Sequence, residues 1–443
     1  MERDITKGSV IKNLILFSLP YLLSCFLQTF YGLADLFFIG QFNSSDTVTA
    51  VANGSQIMHM VTVIIVGLAM GSTVLIGHAT GANDKSGASK IIGNTITFFM
   101  IFSVILTAVV LILINPILHV MSVPEEAVSQ AHSYLTICFL GIPFITAYNI
   151  ISCIFRGMGD SKSPLFFVAV ACVINIILDY FLIGQVDMGA RGAALATVIS
   201  QTLSVIIGLC AIKKKKSGIK ISIKDFAPNR QTISSMLKIG IPIAIQDGLI
   251  QVSFVIISML ANRRGVVMAA SVGTVEKIIG FLFLIPSAMM SSVSALASLN
   301  IGADRKDRAR AVLKYGILIS VSVGLVFAIV CQFISEPILD IFSNDHEVIR
   351  LGAQYLRSYS FDCVFAAIHF CFSGFFCACE KSIVSFVHNI ISIVVMRIPG
   401  AYLACKLFPE SLFEMGLAAP LGSLISAIIC LGVYLNYRRR DIF

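Results

Sequence analysis

FSLPYLLSCFLQTFYGLADLFFIG, Phe17 to Gly40, decides the fold of this chain. It is an apolar run long enough to cross a bilayer, for which about 20 residues suffice. It carries Pro20 in its first half and Asp35 near its far end. A carboxylate inside a membrane span costs roughly 2.5–3.5 kcal/mol on insertion scales, so a functional role for Asp35 is the default expectation. The bland alternative is an Asp hydrogen-bonded at a helix end near the membrane interface.

The rest of the chain has the same character. Of its 443 residues 57% are hydrophobic and 13% charged, against about a quarter charged in soluble domains. The mean hydropathy is +0.90. The runs are continuous rather than alternating, which excludes a β-barrel and indicates an all-α polytopic membrane protein. Twelve spans are expected, at roughly 14–40, 50–78, 91–115, 128–155, 164–184, 190–212, 233–260, 266–300, 312–333, 350–378, 384–406 and 414–436. With the N-terminus inside, 24 of the 32 Lys and Arg fall on inside segments, as the positive-inside rule requires. Twelve spans then return the C-terminus to the cytoplasm, in a multi-pass protein of the cell membrane. The net charge of +8 sits in loops, so it orients the chain and indicates no nucleic-acid partner. MERDITKGSV at the N-terminus lacks a small-residue cleavage site after a short apolar core, so no removable signal is expected. The twelve Cys, such as Cys25, Cys138, Cys172 and Cys331, are scattered without metal-ligand spacing and read as small buried hydrophobes.

The chain repeats itself. GIP at 240–242 answers SLP at 18–20, which sets Pro242 against Pro20. GADRKD at 302–307 answers GANDKS at 81–86, and Tyr355-Leu356 answers Tyr134-Leu135, at nearly the same offset. MGL at 415–417 answers MGA at 188–190 at a slightly longer one, as short late insertions would produce. Matching punctuation at a steady offset is a structural repeat. Two lobes follow, residues 1–222 (spans one to six) and 223–443 (spans seven to twelve). A basic cytoplasmic linker at about 213–232 joins them, within KKKKSGIKISIKDFAPNR (Lys213–Arg230). That run reads as a solvated linker; binding of anionic lipid head groups is the alternative. Six spans per repeat give both lobes the same orientation, hence pseudo-two-fold symmetry about the membrane normal. Transporters built from repeats hold substrate near the midplane between them and alternate access by rocking.

The repeat also sorts structural residues from functional ones. Structural residues tend to recur in both halves, whereas those for a single chemical task need not. The counterpart of Asp35 is Ile256 or Ile257, and that of Asp179 is Gly400 or Ala401, so both acids are private to the first half. Both lie in the outer halves of outward-running spans. Asn175 and Asp179 are four apart and share a helix face. Thr197 enters the next span from the same side. Two carboxylates, an amide and a hydroxyl at one depth suit a hard cation or proton exchange. The two acids would titrate as a coupled pair. Simple mutual satisfaction in a bundle core is the alternative.

At ADLFFIG (34–40), FRGMGDSKSP (155–164), NIILDYFLI (175–183) and MGARGAALATVISQ (188–201) the chain resembles the multidrug and toxic compound extrusion (MATE) transporters, and it does so over nearly its whole length. Within that family it looks like the prokaryotic branch related to DNA-damage-inducible proteins. The resemblance implies a cation-coupled antiporter, with H⁺ or Na⁺ entering as organic, mostly cationic amphipathic compounds leave. It implies coupling-ion residues at Asp35, Asn175, Asp179 and Thr197, with Asn149 facing the same site. If Na⁺ is the ion, Asp35 and Asp179 would be its ligands. Pro20, which precedes Asp35 in the same span, is the implied hinge. Another branch carries a Glu in span seven; here GIPIAIQDGLIQVSF has Gln251 near that place and Asp247 one turn earlier, so a second-lobe ion site of that kind is not expected. Gln28, Tyr31, Asp247, Gln251 and Lys277 are candidates for the substrate cavity. Glu276, Asp362, His369, His388 and Arg397, with Asp247 and Lys277, are expected to pair mostly with one another. His59 reads as a core histidine. No organic cofactor is expected, only the coupling ion. The partners would be small drugs or toxic organic cations and membrane lipids, and the protein a monomer. A flippase for lipid-linked oligosaccharides is the alternative within the same superfamily. Without HExxH, GxSxG or paired His motifs, an enzyme is not expected.

Overall fold

The computed structural model describes residues 5–121, 123–214 and 221–440. Ten of its helices are long and apolar enough to cross a membrane, and two bent pairs bring the number to twelve. The spans are Val10–Phe42, Ser45–Gly81, Lys85–Ile112, the pair Glu125–Leu140 and Ile142–Gly157, Lys162–Gln185, Gly189–Ile212, Arg230–Asn262, Val266–Gly302, Lys306–Asp340, the pair His346–Tyr359 and Asp362–Ala378, Ser382–Leu407, and Phe413–Arg439. Each expected span has its helix.

The sequence repeat is visible in the backbone. Asn83 and Asp304, equivalent positions of the GANDKS and GADRKD segments, are both left-handed, each with φ of 57°. Gly159 (φ 83°) and Glu380 (φ 57°) form a second such pair at the same spacing. The bends recur as well, 51° in the fourth span and 41° in the tenth. Pro20 lies inside the first span and Pro242 inside the seventh.

The chain divides into two compact units, Leu19–Leu237 and Met1–Ser18 with Lys238–Phe443. These differ from the lobes drawn on the sequence at 222 and 223. In the first unit the segment from Ser222 onward is bound to the third span. Ser89 Oγ donates to Asp225 Oδ2 at 2.7 Å, the Asn229 amide to Asn94 Oδ1 at 2.6 Å, and Thr97 Oγ1 to the Phe226 carbonyl at 2.9 Å. The opening turns of the seventh span stay with the same unit. Met236 is fully buried, and its sulfur accepts the Ser72 hydroxyl at 2.7 Å. Its carbonyl lies so near Gly71 that a Cβ there would overlap it.

In the second unit the N-terminal segment is held the same way. Asn13 Nδ2 donates to the carbonyls of Ile5 and Lys7, both at 2.8 Å. Arg305 and Arg308 donate to the carbonyls of Thr6 and Gly8, at 2.7 and 2.8 Å. Leu14 and Phe17, both buried, join a cluster with Val293, Leu296 and Phe376. The boundaries are thus set by buried contacts that fall beyond the polar linker. The remaining basic residues of the linker, Lys215, Lys216 and Lys220, lie outside the described residues, and so does the expectation of lipid head-group binding.

Helix centrality follows composition. The second and eighth spans have 61% and 56% of their most apolar windows buried, against 22% for the first, third, ninth and eleventh. Both central spans are rich in small residues, GSTVLIGHATG in the second and SSVSALASLN in the eighth. Lipid tails are as apolar as leucine, so helices associate where small residues let backbones approach. Ser292 and Ser298 return their hydroxyls to carbonyls one turn back, at 2.7 and 2.6 Å, so the polarity of these helices is spent locally.

Candidate functional site: a buried acid pair in the first unit

The first unit brings Asp35, Asn175, Asp179 and Thr197 together. Asp35 is 3% exposed, and Asn175 and Asp179 are fully buried. Thr197 Oγ1 donates to Asp35 Oδ2 at 3.3 Å. The Asp179 carboxyl and the Asn175 amide adjoin Asp35 without well-formed hydrogen bonds. Among the described residues, Asp35 Oδ1, both carboxylate oxygens of Asp179, and the amide oxygen and nitrogen of Asn175 have no well-formed hydrogen bond. A buried polar group without a partner costs roughly 1–3 kcal/mol, and more when charged. The convergence has simple local causes. Asn175 and Asp179 sit one turn apart on the fifth span. Directly after Asp179 the helix widens to a π-turn, Tyr180–Gln185. Such turns interrupt the regular ladder and often mark functional sites.

The other predicted residues have contacts of their own. Asn149 Nδ2 donates to the Ile145 carbonyl of its own helix at 2.8 Å, and among the described residues no hydrogen bond links it to Asp35. Tyr31, one turn before Asp35, accepts from Gln201 Nε2 at 3.2 Å, and Gln28 Nε2 donates to Tyr148 at 3.2 Å. Both are half-buried residues of the first unit. In the second unit Asp247 and Gln251 are half-buried and Lys277 is exposed; Gln246 Nε2 donates to Asp247 Oδ1 at 3.4 Å. Three neighbours of the acid pair went unnoticed in the sequence: Tyr134, Cys172 and Gln201. Tyr134 shares a 3.0 Å bond with Ser55, and Asp35 acts electrostatically on both Tyr134 and Cys172. Gln201 is one turn after Thr197, and Cys172 is one turn before Asn175. The face that carries the named residues was the available signal.

Of the second unit's charged residues expected to pair with one another, Glu276 and Arg397 have hydrogen bonds to hydroxyls. Ser258 Oγ donates to both carboxylate oxygens of Glu276 at 2.8 Å. Arg397 donates to the Tyr359 hydroxyl at 3.0 Å, with its guanidinium 4.4 Å from the centre of the Phe254 ring. Among the described residues neither Asp362 oxygen has a well-formed hydrogen bond, although the Ser423 and Tyr359 hydroxyls adjoin it. His388 Nε2 and Ser373 Oγ are 3.0 Å apart.

Among the described residues no three His, Cys, Asp or Glu side chains are grouped as metal ligands. The acid pair offers carboxylate, amide and hydroxyl oxygens, a hard donor set suited to a proton or an alkali cation.

The MatE family model matches residues 20–181 and again 242–403, the same offset that joins Pro20 to Pro242. The chain belongs to the MatE family. Among its relatives, "Probable multidrug resistance protein YpnP" of Bacillus subtilis is 29% identical over 435 residues, covering 98% of this chain and 96% of that protein. "Probable multidrug resistance protein NorM" of Thermotoga maritima is 25% identical, covering 94% of this chain and 89% of that protein. The solved structure of a MOP superfamily transporter from Pyrococcus furiosus superposes with a TM-score of 0.92 at 20% identity, over 99% of this chain and 98% of that one. It matches the MatE chain in fold, twelve spans included.

Proposed function

We propose that this MatE protein is a cation-coupled antiporter that exports organic, mostly cationic amphipathic compounds across the cell membrane. Its termini lie in the cytoplasm in this reading. The observation that carries it is the acid pair: Asp35 and Asp179, buried side by side, with three of their four oxygens lacking a well-formed hydrogen bond among the described residues. Two adjacent carboxylates repel each other, and in a low-dielectric interior that repulsion is large. A proton or Na⁺ arriving from outside relieves it. The nearly full-length likeness to proteins named for multidrug resistance supports the export of several compounds rather than one.

Coupling then needs a movement. Pro20 removes one backbone hydrogen bond from the first span, so that helix bends there more cheaply than an intact one. Ser24 Oγ already donates to the Pro20 carbonyl at 2.9 Å, competing with the regular ladder at the same turn. Cation binding at Asp35 shifts the span between straighter and bent forms, which reshapes the cavity and releases cargo outward. The drive suffices in size: one charge crossing 100 mV is worth about 2.3 kcal/mol, a roughly 50-fold gradient.

The test is efflux of a labelled organic cation from proteoliposomes under separately imposed H⁺ and Na⁺ gradients. Efflux that follows one gradient and disappears in Asp35→Asn supports the proposal. Efflux indifferent to both gradients sinks it.

A further inference from the structure

The FRGMGDSKSP motif holds a buried charge that the acid pair does not use. Arg156 is the next-to-last residue of the fourth span, a place from which an arginine ordinarily snorkels to the head groups. This one turns into the first unit and is 8% exposed. Its Nη2 donates to Cys153 Sγ at 2.8 Å, one turn back into the span, and its guanidinium lies 4.8 Å from the centre of the Tyr21 ring. A thiol is a weak acceptor and a ring face carries no net charge, so neither neutralises the guanidinium. Among the described residues no carboxylate is in ion-pair reach of it. Arg264, by contrast, directs its donors to the carbonyls of Phe408, Pro409 and Ser411.

Arg156 stands at one end of a polar seam. Tyr21, Gln28, Tyr31 and Asp35 follow one another at helical spacing along one face of the first span. The fourth and sixth spans meet them in turn: Arg156 at Tyr21, Tyr148 at Gln28 (3.2 Å), Gln201 at Tyr31 (3.2 Å) and Thr197 at Asp35 (3.3 Å). From Tyr21 to Asp35 the seam covers fourteen residues, about 21 Å of helix. It is private to the first half. At the spacing that sets Pro242 against Pro20, its positions on the first span become Ile243, Ile250, Ser253 and Ile257. At the spacing that sets Tyr355 against Tyr134 and Glu380 against Gly159, Arg156 becomes Cys377. Where the acid pair is missing, the seam and the guanidinium are missing with it.

We infer that Arg156 is an electrostatic stopper, a fixed positive charge that keeps a cation held by the acid pair from slipping along the seam to the other side of the membrane. The inference rests on the reading of Asp35 and Asp179 as the coupling site. Polar side chains in file offer a small cation a path that an apolar helix face does not. An antiporter loses its drive through such a path, because a cation that crosses alone dissipates the gradient and moves no cargo. A fixed guanidinium raises the barrier for every cation that approaches it. Arginine suits the task because it stays charged at any physiological pH, and its plane, stacked on Tyr21, holds the charge in place. The missing carboxylate is part of the device, since a neutralised arginine would repel nothing.

The measurement is passive cation entry into proteoliposomes without cargo, read as ²²Na⁺ uptake and as decay of an imposed pH gradient. The native protein should admit cations little faster than empty vesicles. Arg156→Gln should raise entry of the coupling cation roughly tenfold, the effect of one unit charge at a distance on the order of 10 Å in a protein interior. Arg156→Lys keeps the charge and should stay tight. Adding Asp35→Asn to Arg156→Gln should close the leak, because the cation then has no site from which to start.

Entry at the native level in a monodisperse Arg156→Gln variant overturns the inference and makes Arg156 a packing residue. An equal leak in Arg156→Lys also overturns it, because lost stacking rather than lost charge would be the cause. So does a leak that survives Asp35→Asn, since the path would then bypass the seam. If Arg156→Gln does not fold, Arg156→Met is judged by the same criteria. Gradient-driven efflux of a labelled organic cation is followed on the same vesicles. Native efflux that ignores Asp35→Asn counts against the coupling site itself, so the two failures are distinguishable.

Discussion

Asp35 and Asp179 are buried acids of the first unit, whereas their counterparts in the second, Ile256 or Ile257 and Gly400 or Ala401, carry no charge. Around the first unit's acids stand the Asn175 amide and the Thr197 hydroxyl; in the second unit Glu276 accepts from Ser258 and Arg397 donates to Tyr359. A cluster without a positive charge is, in the reading proposed above, the one that responds to the ions outside. The comparison teaches that a duplicated scaffold can keep its helices and divide its tasks by changing a few buried side chains. Conserving the fold asks only for similar packing, whereas conserving an ion site asks for particular oxygens.

Substitutions can break this contrast at several depths. The largest effect belongs to Asp35→Asn, which keeps shape and some hydrogen bonding but not charge. Gradient-driven efflux in proteoliposomes should fall to the level of empty vesicles while substrate binding persists. Asp179→Ala comes next. It should weaken ion coupling roughly tenfold, about 1.4 kcal/mol, with substrate affinity little changed. A fall in substrate affinity with coupling intact would assign Asp179 to the cargo instead. In the second unit no acid should show this pattern.

The paired prolines give a smaller effect. Pro20→Ala should slow turnover a few-fold, on the order of 1 kcal/mol in barrier, while equilibrium cation binding at Asp35 stays the same. Pro242→Ala, in a span without a buried acid pair beside it, should leave the cation dependence of turnover unchanged. Equal loss of cation dependence in both variants would show that the bends act together rather than through Asp35. Spin labels across Pro20 should report a pH- or Na⁺-dependent distance that Asp35→Asn removes.

The smallest effect lies outside the membrane, at Asp225. Hydrogen bonds from the Ser222 amide and the Ser89 hydroxyl hold its carboxyl below the usual carboxylate range. A depressed folded value means stabilisation that is present above the unfolded value near 4 and lost as pH falls through the folded one. Asp225→Ala should therefore loosen the linker at neutral pH and change little in strong acid. Limited proteolysis between 222 and 230 as a function of pH reads this directly.

Most of the architecture was legible from residues alone, because a membrane span is set by the apolar length of its own helix. The twelve helices and the steady offset of the repeat needed no tertiary information. The meeting of Asp35, Asn175, Asp179 and Thr197 was legible for a similar reason: depth along a span and helix face together nearly fix a side chain's place. Asn149 lay on a plausible face, yet its amide is used within its own helix. The π-turn after Asp179 has no composition signal. The compact units end at other residues than the charged linker, because charge marks where a chain is solvated, whereas Met236 and Leu14 pack by shape. Arg397 looked like a partner for nearby acids, and its hydrogen bond goes to the Tyr359 hydroxyl.

The left-handed turns at 159 and 380 keep a record of the duplication. The two copies preserve one backbone conformation, but only the first has the residue that adopts it freely: glycine at 159, glutamate at 380. A side chain in that region costs about 1 kcal/mol relative to glycine. The second copy therefore holds the same bend at a cost that the first avoids. Glu380→Gly would give it the other copy's solution and relieve that cost.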